Sequence, residues 1–210
     1  MNYICVIGDL VNSRQVSDRN RLQDQMETTL AAINAKRKDH LLSPCTITLG
    51  DEYQAVYKNA ATLFPDFLSI LHDLYPVKMR FSVGIGPLQT KVNPTMAIGM
   101  DGPAFHVARE ALGKDFKRSE RLLHIARAGG ETPVWLGSAL ILISREIRSW
   151  KQNRILILQR LLCGAEARAI AEEIEISLTA VYKNIQMGGL DAMADLLGAM
   201  VEWMNQEVQR

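Results

Sequence analysis

Two hydrophobic rhythms alternate along the first 150 residues. Short apolar runs read as buried strands: Tyr3-Ile4-Cys5-Val6-Ile7, Thr46 to Leu49, Tyr53 to Val56, Met79 to Ile85 and Leu122 to Ala126. Between them, apolar positions recur at helical spacing. Leu22, Met26, Leu30 and Ile33 predict a helix over about Asp18 to Lys38, with Ser17 or Asp18 as its cap. A second helix spans about Asn59 to Leu74, where Pro65 bends it or marks its true start and Pro76 ends it. Pro103 opens a third through Leu112, and Trp135 to Ile147 is a long apolar fourth.

The resulting order is βαββαβ with additions. It predicts an α+β protein on the ferredoxin-like plan, an antiparallel sheet with helices on one face and the first and third strands as central neighbours. From Lys151 onward the strand rhythm stops and three short helices follow. Ile155, Leu158, Leu161 and Leu162 line the first, which Gly164 ends. Ala167, Ile170, Ala171 and Ile174 line the second, Ile176 fills the turn, and Ser177 caps a third that ends at Gly188-Gly189. This is a helix-turn-helix pattern. A last helix, Asp191 to Gln209, carries Leu190, Met193, Leu197, Met200, Val201 and Met204 on one stripe, which either covers the small core or forms a dimer seam. The chain thus divides into residues 1–150 and a small all-α unit, 151–210.

Charge follows that division. The first part is net +3 and the second net −2, so neither offers a strong field for nucleic acid or an anionic membrane. Cys5, Cys45 and Cys163 are too few and too scattered for a disulfide framework or zinc site. No stretch approaches the ~18 apolar residues of a membrane span, nor does the N-terminus read as a secretion signal, which predicts a cytoplasmic protein.

Candidate chemistry centres on two Gly-Asp pairs, Gly8-Asp9 and Gly50-Asp51-Glu52, each ending a strand. If those strands are neighbours, the carboxylates meet at one sheet edge, where a hard cation such as Mg²⁺ or Mn²⁺ binds together with phosphate. The alternative is that each Asp caps a turn or the following helix. His40, His72, His106 and His124 are not spaced as metal ligands. Arg109, Lys114, Lys117, Arg118, Arg121 and Arg127 form a cationic run diluted by Glu110, Asp115 and Glu120, read first as a solvated helix end. No Walker-type loop is present.

Several segments resemble class III nucleotidyl cyclases. Val6 to Ser13 is similar to their first metal-binding segment, and Thr48 to Val56 to their second. Arg80 to Gly86 resembles the strand that follows, and Asp101 to Glu110 the helix that contacts substrate. With the C-terminal region included, the whole chain resembles the SatD family. The resemblance implies metal ligation by Asp9, Asp51 and Glu52. It also implies a nucleotide ligand held by main-chain N–H groups of Leu10, Val11, Asn12 and Ser13 and by His106 and Arg109. One departure stands out. The cyclase transition-state Arg position falls on Glu110, and Arg109, one residue away, is rotated by about 100° at ~3.6 residues per turn. Asp101 hydrogen-bonds a base or caps the helix.

The helix-turn-helix resembles that of bacterial transcription regulators. Its third helix would offer Thr179, Tyr182, Lys183, Asn184 and Gln186 to DNA, with Asn and Gln reading adenine edges and Lys and Tyr reaching phosphates. Because this region is net negative, a monomer is expected to bind DNA weakly; a protein-interaction surface is the alternative, and dimerisation would double the DNA contacts. Three readings follow: a nucleotide-responsive regulator that acts as a homodimer with DNA as partner, an active metal-dependent phosphoryl-transfer enzyme, and a non-catalytic scaffold.

Overall fold

The computed structural model describes residues 1–118 and 121–210, with the side chains of Arg14 and residues 114–118 left aside. Ser119, Glu120 and the side chains of Lys114, Asp115, Lys117 and Arg118 therefore lie outside the described residues, as does that part of the cationic run. Five strands form one sheet: β1 (Tyr3–Leu10), β2 (Leu41–Ile47), β3 (Glu52–Tyr57), β4 (Met79–Gly86) and β5 (Leu123–Arg127), in the order β2-β3-β1-β4-β5. The first four pair antiparallel, and β5 joins the β4 edge in parallel.

Alternation along β1 sorts its side chains to two faces. Ile4, Val6 and Leu10 enter the main core beneath α1 (Arg19–Lys36) and α2 (Leu63–Asp73). Cys5 and Ile7 point the other way, with Val56, against Ala104, Phe105 and Ala108 of α3 (Pro103–Arg118). Helices thus cover both faces, not one as expected, because β1 and β3 are apolar on both sides. The sheet needs both faces shielded from water, each fully buried large side chain being worth roughly 1.5–3 kcal/mol.

The local signals explain the element ends. The Asp18 carboxylate accepts a hydrogen bond from the Arg21 N–H and caps α1. Pro65 falls in the first turn of α2, where its missing N–H costs nothing, and so marks the start of the helix. The second strand differs most from expectation. It runs from Leu41 and ends at Ile47, while Leu49 is 72% exposed in the turn before Gly50, whose φ of 76° suits glycine. The strand tolerates Pro44 because it lies at the sheet edge and carries register irregularities.

After β5 come α4 (Val134–Ser149), α5 (Gln152–Leu162), α6 (Ala167–Glu173), α7 (Leu178–Gly188) and α8 (Leu190–Gln209). Ser177 caps α7 by accepting from the Ala180 N–H at 3.1 Å. The α8 stripe Leu190, Met193, Leu197, Met200 and Met204 is buried within the chain. It covers a core, so it is not open as a dimer seam. One apolar cluster runs from the sheet through α1, α2, α4 and α5 to α8. Among the described residues, no helix is long and apolar enough to cross a membrane.

Candidate functional site

Strand register brings the two Gly-Asp motifs together. In antiparallel pairing, directly opposed residues share a face, and Asp9 lies opposite both Glu52 on β3 and Arg80 on β4. The Leu10 N–H donates to the Asp51 carbonyl at 2.9 Å, which ties the hairpin turn to the end of β1. This is the α3 face of the sheet, and Arg109 on α3 completes the cluster with a bidentate hold on Glu52.

The three carboxylates have different surroundings. Asp9, partly exposed, accepts from the Arg80 guanidinium. Its pKa is raised above the ordinary 3.8, chiefly because burial penalises the charge; Arg80 opposes the shift, and the nearby Asp51 and Glu52 add to it. Asp51 Oδ2 accepts from the Ser13 hydroxyl at 2.7 Å. Glu52 is buried and its oxygens are taken: Arg109 Nη2 reaches Oε1 at 3.0 Å, Thr48 Oγ1 at 2.8 Å and Gln54 Nε2 at 3.3 Å. Glu52 is therefore committed to protein partners in this arrangement.

Among the described residues, no group of three His, Cys, Asp or Glu side chains is arranged to hold a metal ion. An all-protein cage does not fit.

The expected phosphate cradle is partly used up. Besides the Leu10 N–H, the Val11 N–H is committed, donating to the Lys78 carbonyl at 2.8 Å. Asn12, with φ 55° and ψ 35°, turns the chain into a short 3₁₀ segment at Ser13–Gln15. Exposed His106 bonds Asp101 at 2.7 Å rather than the carboxylates. Asp101 accepts from the neighbouring Gly102 N–H at 2.8 Å instead of capping deeper in the helix.

The α3 register sets which side chain of the helix reaches the cluster. Arg109, not Glu110, faces the carboxylates. Sequence reasoning missed Arg80 as a site residue. Its signal was a lone cation near the start of an otherwise uncharged strand, Met79 to Ile85.

In the C-terminal part, Thr179, Tyr182, Lys183 and Gln186 of α7 are exposed. Asn184 is set apart from them: Arg154 donates to its Oδ1 at 3.2 Å and its Nδ2 donates to the Ala180 carbonyl at 2.9 Å.

Residues 3–192 match the family model of the SatD family, and the chain belongs to that family. Comparison with curated proteins returned no match. A solved structure, the catalytic core of a rhodopsin-guanylyl cyclase with converted specificity in complex with ATPαS, is similar at 16% identity with a TM-score of 0.35. That likeness covers 54% of this chain and 72% of the other, and at that score it carries neither fold nor function across.

Proposed function

We propose that this SatD-family protein is a two-part regulator. In this reading residues 1–150, a cyclase-like domain of ferredoxin-like order, bind a divalent cation with the phosphates of a nucleotide. Residues 151–210 form a helix-turn-helix unit that binds DNA, with exposed Thr179, Tyr182, Lys183 and Gln186 of α7 as its contacts and Asn184 as their internal support. The observation that carries the first half is the register that opposes Asp9 to Glu52 and Arg80, with Asp51 beside them and Arg109 above. Three carboxylates and two guanidiniums gathered at one end of the sheet match the mixed charge of a metal–phosphate ligand.

The roles divide by charge. Asp9 and Asp51 would hold Mg²⁺ or Mn²⁺, which supplies charge neutralisation at the phosphates. Ser13 keeps Asp51 oriented, at 2.7 Å. Arg80 and Arg109, now paired with Asp9 and Glu52, turn toward phosphate oxygens as the ligand enters. Calorimetry of the full chain against ATP and GTP with Mg²⁺ or Mn²⁺ tests this. Metal-dependent binding that weakens at least tenfold in Asp9→Asn and Asp51→Asn is expected; no binding of any nucleotide sinks the reading.

A second reading is favoured by Arg109 itself. A guanidinium at the carboxylates is a group that phosphoryl transfer uses to stabilise developing charge. Metal-dependent turnover of ATP or GTP, lost in Arg109→Ala while binding persists, would make the protein an enzyme.

A further inference from the structure

Two carboxylates of the candidate site are already paired with cations of the chain itself. Asp9 and Glu52 share the α3 face of the sheet, because they oppose each other across β1 and β3. Arg80, opposite Asp9 on β4, holds the Asp9 carboxylate through Nη2. Arg109 grips Glu52 from α3 with both terminal nitrogens. Asp51 is held instead by a neutral group, the Ser13 hydroxyl at 2.7 Å. The Arg80 and Asp9 side chains are only 24% and 22% exposed, so water screens their charges in part.

We propose that Arg80 and Arg109 latch this site against a free divalent ion, so that it opens only to a metal that arrives with a polyphosphate. The inference rests on the nucleotide reading for its ligand and adds how that site is regulated. A lone ion seeking Asp9 and Asp51 must first displace Arg80 from Asp9. That leaves a largely buried guanidinium without its counter-charge, beside a doubly charged ion. The ion also gains too little in exchange. Among the described residues no third acid, His or Cys stands ready to complete its shell, because Glu52 is bound to Arg109, Thr48 and Gln54.

A polyphosphate removes both obstacles. Its oxygens complete the coordination of the ion, as phosphates do for Mg²⁺. They also accept bidentate bonds from guanidiniums, and so replace the carboxylates as partners of Arg80 and Arg109. Each cation exchanges one anion for another and no charge is left unpaired. A polyphosphate without metal meets the opposite obstacle, three carboxylates at the place it must enter. Metal and anion therefore raise each other's affinity by the same factor. The site reports the metal–nucleotide complex and stays shut to the free ion.

The test is Mn²⁺ binding to the full chain with no nucleotide present, followed by the electron paramagnetic resonance of the free ion. Arg80→Gln is expected to bind Mn²⁺ at least about tenfold more tightly than the wild-type chain, since a like charge beside the ion is removed. Arg80→Lys keeps that charge and stays shut. The gain disappears in Arg80→Gln with Asp51→Asn, which places the ion at this site. Calorimetry with ATP and Mn²⁺ moves the other way: Arg80→Gln binds the pair severalfold more weakly. A merely structural role would weaken both kinds of binding. Arg109→Gln provides a second route to the gain on Mn²⁺ alone if Arg80→Gln does not fold. Equal or weaker Mn²⁺ binding in these variants, or a gain that survives Asp51→Asn, overturns the latch. If no chain binds ATP or GTP, the nucleotide reading falls, while Mn²⁺ alone still decides whether Arg80 bars the ion.

Discussion

Asp9 sits between opposing demands. Arg80 holds its carboxylate, yet burial and the neighbouring Asp51 and Glu52 raise its pKa above 3.8. The folded chain therefore keeps this proton at pH values where the unfolded chain has lost it. Its contribution to stability is greatest on the acid side and is withdrawn as pH rises from 3.8 through the raised folded value. Asp9→Asn should flatten this part of the profile of Tm against pH, measured from pH 3.5 to 6.5 as a roughly three-unit span around the carboxylate range. Superimposable wild-type and variant profiles would refute it. Saturating Mg²⁺ acts in the opposite sense under the proposed function, since ligation needs the ionised form. Glu52 shows the other outcome for a carboxylate: Arg109, Thr48 and Gln54 occupy it fully, and it acts as an anchor for α3 over the site.

That anchoring depends on how closely α3 lies on the sheet. A Cβ at Gly84 of β4 would lie 2.9 Å from the Ala104 carbonyl carbon and closer still to its oxygen. The neighbour is helix backbone and cannot swing aside. Beside it Ser82 Oγ donates to the Ala108 carbonyl at 2.7 Å, fixing the helix one turn further along. Gly84→Ala should therefore cost about 3 kcal/mol, at the upper end for overpacking, read as a lowered urea midpoint. An unchanged midpoint would mean that α3 shifts freely on the sheet. Because Arg109 rides on α3, the same variant should weaken the Arg109–Glu52 contact. The single turn between His106 and Arg109 already separates an exposed residue bound to Asp101 from one that reaches the carboxylates.

The C-terminal helices are tied to the sheet as well as packed on it. The Glu207 carboxylate, 3% exposed, pairs with Arg127 at the end of β5 at 2.7 Å. Asn2 donates to the Glu207 carbonyl at 2.9 Å, and Asn205 Oδ1 accepts from the Ala60 N–H at 2.8 Å. Gln159 of α5 reaches Ser69 on α2 at 3.2 Å. With one apolar cluster running through both parts, they should unfold in a single cooperative transition. Glu207→Gln leaves Arg127 without its buried counter-charge and should destabilise by about 2 kcal/mol, less than a fully buried pair because Arg127 is 28% exposed. Two separate urea transitions in the wild-type chain would show instead that the helical part unfolds independently.

The sequence by itself determined what is local. Strand identity followed from short apolar runs and helix identity from a period of 3.6 residues, because burial is written in the spacing of apolar side chains. Caps at Asp18 and Ser177 and the start at Pro65 were legible because a helix end requires only its own few residues. The opposition of the two Gly-Asp pairs was legible too, since the βαββαβ order makes β1 and β3 neighbours. Only the tertiary structure decided that α3 covers the second face, that Arg109 and not Glu110 meets the carboxylates, and that Glu52 is spent on Arg109. It alone showed the α8 stripe buried and Arg80 closed on Asp9. These are matters of which surface meets which across long stretches of chain. A one-residue rotation or the choice between two apolar faces leaves the local pattern unchanged.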